Sequence, residues 1–385
     1  MEPIYLDHNA TTPVRPEALE AMARAATDYP ANPSSRHLPG QRARRKLEET
    51  REAIAALLGA DLTSPQPDRL LFTSGGTEAN NLAVLGIGRA GRGPGAPRLV
   101  ISAAEHSSVL GPAERLLDKG WQVDTLGLDP QGRVRVEQLG TLLIPATRLV
   151  SVILANHEMG VVQPIAEIAA QCQAAGVPLH TDAVQAAGKM PVAFRRLGVA
   201  AMSATAHKFH GPLGIGALLL KEGVALDPLL FGGPQQGGLR PGTEMLALAV
   251  GMHEALRLAC AEMEAERRRL AALRDRFEAR LRSVVPNAVI HGAAAERLPN
   301  TSNVAFPGLD GQVFFTALDM AGVACSIGSA CNSGSTELSP TLSALGIPTA
   351  LVGSSLRFSL GRTTTEADID KALGRIEEVA TALSA

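Results

Sequence analysis

The chain has 385 residues, 36 basic against 38 acidic side chains and a formal net charge of −2; that length predicts two domains rather than one core, and the near balance of charge removes the electrostatic basis for nucleic-acid binding. No run of about eighteen apolar residues appears and no charged-then-apolar leader opens the chain, which speaks against membrane insertion and export. Four cysteines without a paired pattern suit a reducing compartment, so a cytoplasmic protein is expected.

From about residue 45 to 220, short apolar runs alternate with helical patterns. Strands are predicted at 69–73, 98–102, 122–126, 149–154, 178–181, 200–203 and 215–220, with helices at 41–58, 77–85, 107–119 and 164–175 between them. This alternation predicts an α/β fold with a mostly parallel seven-stranded sheet and helices on both faces. Past residue 244 the pattern changes to a long charged helix over 247–284, followed by shorter mixed elements. The expected division is a large domain over 14–250 and a smaller α+β domain made of 1–13 and 251–385. The run Arg267-Arg268-Arg269 reads as a solvated helix face, and 91–97 as a surface turn.

Ligands of open parallel sheets gather beyond the carboxyl ends of the strands, and here those ends carry chemistry. The first strand runs into Ser74-Gly75-Gly76-Thr77-Glu78, where glycines allow close backbone approach and a helix start offers free amides to a phosphate. The second delivers Glu105-His106 and the fourth Asn156-His157-Glu158; two histidines at neighbouring strand ends point to a site. His157-Glu158 begins a zinc-protease-like spacing but reaches Val161 in place of the second histidine, so no metal site is expected. Asp182, followed by Gln185, closes the fifth strand, and Thr205-Ala206-His207-Lys208 the sixth, which sets Asp182 and Lys208 at the same end of adjacent strands. A buried carboxylate there needs a cationic partner. A phosphate-type turn, an aspartate and a lysine in one crevice fit pyridoxal phosphate, with lysine forming the Schiff base and aspartate keeping the pyridinium protonated.

Of the cysteines, Cys172 and Cys260 sit in helical apolar patterns and read as packing groups. Cys325 reads as a strand core residue, with a disulfide to Cys331 left open. Cys331 itself lies in the stretch Ser326-Ile327-Gly328-Ser329-Ala330-Cys331-Asn332-Ser333-Gly334-Ser335, too polar for a core, and reads as a thiol meant to react.

Taken with Tyr5-Leu6-Asp7-His8-Asn9-Ala10-Thr11-Thr12-Pro13, Asn32-Pro33-Ser34-Ser35-Arg36-His37, Arg240-Pro241-Gly242-Thr243 and Leu356-Arg357-Phe358-Ser359-Leu360-Gly361-Arg362, these motifs cover nearly the whole chain in order. The chain resembles a cysteine desulfurase of the NifS/IscS type, in the class V aminotransferase superfamily of fold-type I pyridoxal-phosphate transferases. The resemblance implies that Lys208 bears the cofactor, Asp182 pairs with its ring nitrogen, Gln185 contacts the ring hydroxyl, and His106 stacks on the ring and assists proton transfer. It further implies that Gly76, Thr77, Thr205 and His207 hold the phosphate, with Thr243 reaching across from a second subunit of a homodimer. Arg357, helped by Asn32, would clamp the carboxylate of the L-cysteine substrate. His157 stands where the family usually has an asparagine that contacts the ring. The Cys331 thiolate would take the substrate sulfur as a persulfide, release L-alanine, and pass the sulfur to an acceptor protein, an iron–sulfur scaffold or a relay. Many members continue past the equivalent of Ala385 into a tail that helps dock the scaffold.

A selenocysteine lyase or an aminotransferase on the same fold, and a catalytically silent scaffold protein, are the alternatives. A dinucleotide-binding reading of Gly86-x-Gly88-x-x-Gly91 fails because that motif follows a predicted helix instead of a strand.

Overall fold

The computed structural model describes residues 3–328 and 338–384. A short strand, β1 (Ile4–Tyr5), precedes seven longer ones: β2 (Arg69–Thr73), β3 (Arg98–Ser102), β4 (Gln122–Leu126), β5 (Thr147–Ser151), β6 (Leu179–Asp182), β7 (Ala201–Thr205) and β8 (Gly216–Leu220). These seven form one sheet in the order β2-β8-β7-β6-β5-β3-β4. Its neighbours are parallel except at β8, which runs antiparallel to both β2 and β7. The expected mostly parallel, seven-stranded sheet is therefore present.

The strands read as continuous apolar runs because both faces are covered. Successive residues point to opposite sides: Phe72, Val100, Val150, Met202 and Leu219 enter one core, and Leu71, Leu99, Leu149, Ala201 and Leu218 the other. Helices Leu38–Leu57 and Ile165–Ala174 close the first face through Ala43, Leu47, Ile54 and Ile168, and helix Ser107–Leu117 closes the second through Val109 and Leu116.

Several elements differ from the sequence reading in their bounds. β5 starts two residues earlier than predicted and ends at Ser151, yet Val152 N and Leu154 N still donate to His180 O and Asp182 O at 3.0 and 2.9 Å, so the chain follows β6 beyond the regular ladder. Helix Leu38–Leu57 starts ahead of its predicted residue 41, because the His37 ring accepts from Gly40 N at 3.2 Å and Pro39 occupies the first turn, where proline has no N–H to lose. The helix predicted over 77–85 is Gly76–Asn81 continued by a π-helical turn, Leu82–Ile87. Gly86 lies in that turn, away from any strand-to-helix junction. Helix Pro16–Asp28 was not anticipated; it lays Ala18, Ala21 and Ala25 on the long helix.

That long helix, Leu246–Val284, runs 39 residues without interruption, roughly 58 Å at 1.5 Å per residue. Met252 and Leu256 enter the sheet core, whereas Leu270, Phe277 and Leu281 enter a separate one. The second core is built on β9 (Val289–Ile290), β10 (Thr301–Ala305), β11 (Val323–Ala324), β12 (Ser326–Ile327) and β13 (Ser355–Ser359), with helices Gly311–Met320 and Glu366–Ser384. Strands β12-β13-β10-β9 make an antiparallel sheet, and β1 pairs with β11 in parallel. The amino-terminal strand thus packs with the carboxy-terminal part of the chain, through Ile4 and Leu6.

Cys172, Cys260 and Cys325 are free. Burial pushes the thiols of Cys172 and Cys325 up to about 12, which makes them poor nucleophiles. Cys331 lies outside the described residues.

Candidate active site

The carboxyl ends of β2, β3, β6 and β7 open onto a cavity of about 280 Å³. Asp182, the last residue of β6, lies on its wall and is 3 % exposed. Its Oδ1 accepts from Val184 N at 2.8 Å and its Oδ2 from Asn80 Nδ2 at 2.7 Å. Burial nonetheless raises its pKa, against the opposing pull of those two donors and of the Lys208 charge. Lys208 ends the turn that follows β7, and its Nζ donates to Asn9 O at 2.6 Å and Ala10 O at 2.8 Å. An anion from one strand and an amine from the next therefore share one cavity, as the spacing anticipated.

Gly76, Thr77, Thr205 and His207 line the same cavity. A Cβ on Gly76 would sit 2.8 Å from Val184 Cγ2, so any side chain there would press on the cavity wall. His106 caps helix Ser107–Leu117: its Nδ1 accepts from Ser108 N at 3.1 Å and lies 2.7 Å from Ser108 Oγ. An accepting Nδ1 assigns the neutral ring its proton on Nε2. Burial, then the charges of Lys208 and Arg357, push its pKa down to about 4. The His157 ring meets it edge-on at 5.0 Å, is likewise disfavoured as a cation, chiefly by burial, and has no hydrogen-bond partner on either nitrogen among the described residues.

Arg357, in the middle of β13, is 1 % exposed. Its Nη2 donates to Asp7 Oδ1 at 2.7 Å and its Nη1 to His157 O at 3.1 Å, while Nε has no partner among the described residues. Burial raises the Asp7 pKa despite the guanidinium beside it. The second core thus sends one cation into a cavity whose other walls come from the large sheet.

Four contributors escaped the sequence reading. Asn80 bridges Asp182 and Ser108 Oγ, the latter at 2.8 Å. Asp7 orients Arg357. Asn9 ties the cavity together: its backbone oxygen takes Lys208 Nζ and Gln185 Nε2 (2.9 Å), and its side chain reaches Thr301 Oγ1 (2.9 Å) and His157 O (3.3 Å). Lys189 Nζ donates to Gln185 Oε1 at 2.6 Å and to Asn9 Oδ1 at 3.2 Å. Asn9 and Asp7 lie in the Tyr5 to Pro13 motif; Asn80 and Lys189 carried no local signal. Two expected residues stand apart from the cavity: Asn32 is exposed, with Oδ1 bonded to Ser34 N at 2.8 Å, and Thr243 is exposed as well. Among the described residues no group of His, Cys, Asp and Glu could hold a metal, and no helix is long and apolar enough to cross a membrane.

The profile of the family described as aminotransferase class-V matches residues 4–372, and the cysteine desulfurase IscS of Dictyoglomus turgidum is 40% identical over 98% of this chain and 94% of its own length. The chain belongs to the class-V aminotransferases, among the cysteine desulfurases of the NifS/IscS type. The desulfurase NifS of Azotobacter vinelandii is 39% identical over 98% of this chain and 93% of its own. A solved NifS-like protein from Rickettsia africae superposes with a TM-score of 0.88 at 31% identity, covering 98% of this chain and 99% of that one.

Desulfurases of this family depend on pyridoxal phosphate, and the cavity suits that group. A buried carboxylate with no ion-pair partner among the described residues suits a cationic ring nitrogen, a lysine amine is within the same walls, and a helix start with glycine at its first residue faces them. The buried nitrogens of His157 and Asn80 Oδ1, unsatisfied among the described residues, leave room for polar atoms of a bound group.

Proposed function

We propose that this desulfurase removes sulfur from L-cysteine with pyridoxal phosphate held on Lys208, leaving L-alanine and a persulfide on Cys331. The convergence of Lys208, Asp182 and Arg357 on one cavity carries the reading. When bound, pyridoxal phosphate supplies an electron sink for the substrate Cα. Asp182 Oδ2 holds the ring-nitrogen proton, and Asn80 keeps that oxygen aimed. Gly76, Thr77, Thr205 and His207 would hold the phosphate, Gln185 would meet the ring hydroxyl, His106 would stack on the ring and His157 would contact it. Arg357 would offer its remaining N–H groups, on Nε and the second hydrogens of Nη1 and Nη2, to the substrate carboxylate. Lys208 Nζ would take the Cα proton as general base, and His106 Nε2–H would return a proton.

The sulfur step needs no outside oxidant. A Cys331–sulfur bond forms as the substrate carbon–sulfur bond breaks, the thiol proton is accounted for on the carbon that becomes the methyl of alanine, and the departing sulfur stays covalently held. An acceptor protein, an iron–sulfur scaffold or a relay, then collects it. Two copies of the chain make the working unit, with Thr243 of one completing the phosphate site of the other, in the cytoplasm.

The test is the purified protein with pyridoxal phosphate, L-cysteine and dithiothreitol, following alanine and sulfide together. Equal yields are expected; Cys331→Ala keeps the yellow absorbance and loses both products, and Lys208→Ala loses the absorbance. Parent-like alanine formation by Cys331→Ala overturns the nucleophile assignment, and absence of both products in the parent overturns the activity.

A further inference from the structure

Lys189 has no role in the chemistry above, yet its amine joins the same network. It donates to Gln185 Oε1 at 2.6 Å and Asn9 Oδ1 at 3.2 Å, neutral amide oxygens on residues 3 % and 1 % exposed. No carboxylate pairs with it among the described residues, and burial, with the charges of Lys208 and Arg357, drives its pKa well down. An amine kept in so unfavourable a place calls for a function beyond packing.

The consequence appears at the Gln185 amide. A carboxamide has an accepting end and a donating end that differ little in shape, and Lys189 Nζ donates to both oxygens it meets, Gln185 Oε1 and Asn9 Oδ1, which an amine can do with three N–H groups or with two. Lys189 therefore holds the oxygen toward itself and turns Nε2 the other way. There one N–H goes to Asn9 O at 2.9 Å, the same oxygen that Lys208 Nζ reaches at 2.6 Å, and the second N–H is unclaimed among the described residues on a side chain that lines the cavity.

We propose that Lys189 is a positioning residue that locks the Gln185 amide so that an N–H, and not the carbonyl, faces the ring oxygen of the cofactor on Lys208. This rests on the cofactor assignment made above. A donor at that oxygen favours its anionic state and lowers the pH at which the nitrogen joining Lys208 to the cofactor gives up its proton. Around that nitrogen stand Asp182, the Asp7–Arg357 pair, His106, His157 and His207, with His8 and His210 nearer Lys189. Burial holds all five histidines below their ordinary pKa, and every one of these groups is common to the parent and the variants.

The experiment titrates the visible band of the cofactor-loaded protein from about pH 6 to about pH 10 in the parent, Lys189→Met, Lys189→Arg, Gln185→Met and the Gln185→Met/Lys189→Met double variant. Lys189→Met should raise the midpoint by about one pH unit and weaken cofactor binding, Lys189→Arg should keep the parent midpoint, and Lys189→Met should add almost nothing once Gln185 is Met. Lys189→Ala replaces Lys189→Met in each comparison if the latter is not recovered folded. A parent-like midpoint without the lysine overturns the proposal; so does an equal shift in the Gln185→Met background, because the lysine would then act by its charge alone. A parent that gains no visible band on adding pyridoxal phosphate refutes instead the cofactor assignment.

Discussion

Replacing Glu105 by glutamine should flatten the pH dependence of this protein's stability. Glu105, three residues past β3, is 3 % exposed; one carboxyl oxygen accepts from the Ser102 hydroxyl and from Ile153 N, the latter at 2.7 Å, and the other has no partner among the described residues. Burial, reinforced by the Asp182 charge, pushes its pKa from the ordinary 4.5 up to about 8. The folded chain therefore keeps a proton that the unfolded chain releases above pH 4.5. The associated stability is complete below that value and is lost as pH rises through about 8. About 3.5 units at 1.36 kcal/mol each correspond to about 5 kcal/mol. Glutamine copies the neutral acid, retaining the accepting oxygen and placing its NH₂ where the unpartnered oxygen was. Urea unfolding of parent and Glu105→Gln at about pH 5, 7 and 9 measures the difference: the two should lie close at the lowest pH and diverge upward, with the variant the more stable by several kcal/mol at the highest. Parallel profiles across that range would refute the assignment of a neutral acid at this position.

Asn80→Ala removes the donor to Asp182 Oδ2; a hydrogen bond to a charged group is worth about 1.5–3 kcal/mol, so the dissociation constant for pyridoxal phosphate should rise by about 10- to 100-fold, and an unchanged value in a cofactor titration would contradict the role given to Asn80. Gly361→Ala would put a Cβ 2.1 Å from Nδ1 of the buried His8 ring, an overpacking expected to lower stability by about 1–3 kcal/mol. Thermal unfolding should show most of that loss recovered by adding His8→Ala, and no recovery would place the strain elsewhere.

The sheet was legible because its signal is local. Runs such as Leu70-Leu71-Phe72 and Leu218-Leu219-Leu220 are apolar at every position, as strands covered on both faces must be, and the polar residues at their ends then fall on one edge. Lys208, Asp182 and His106 were found that way. Local patterns fail where tertiary contacts decide. Pro39 and Gly40 look like a turn but sit inside a helix capped by His37, and the two-residue strands β9, β11 and β12 are too short to show a period. Asn80 was hidden for a similar reason: it is one polar residue on a helix until Asp182, 102 positions later, folds against it.

The contacts of residues 4–12 set a timetable for making this protein. Asp7 must find Arg357 and Asn9 must find Ser359, each 350 positions further on, and β1 must wait for β11. At 5–20 residues per second, Asp7 stays without Arg357 and Asn9 without Ser359 for roughly 20–70 s, whereas Asn9 can meet Gln185 and Lys208 in about half that time. Lys208 and Asp182 are synthesised well before that interval ends, when β13 does not yet exist. The nascent chain can thus build its large sheet and the pocket around Lys208 and Asp182 ahead of time, whereas Arg357, proposed above as the substrate clamp, arrives only with the final tenth of translation.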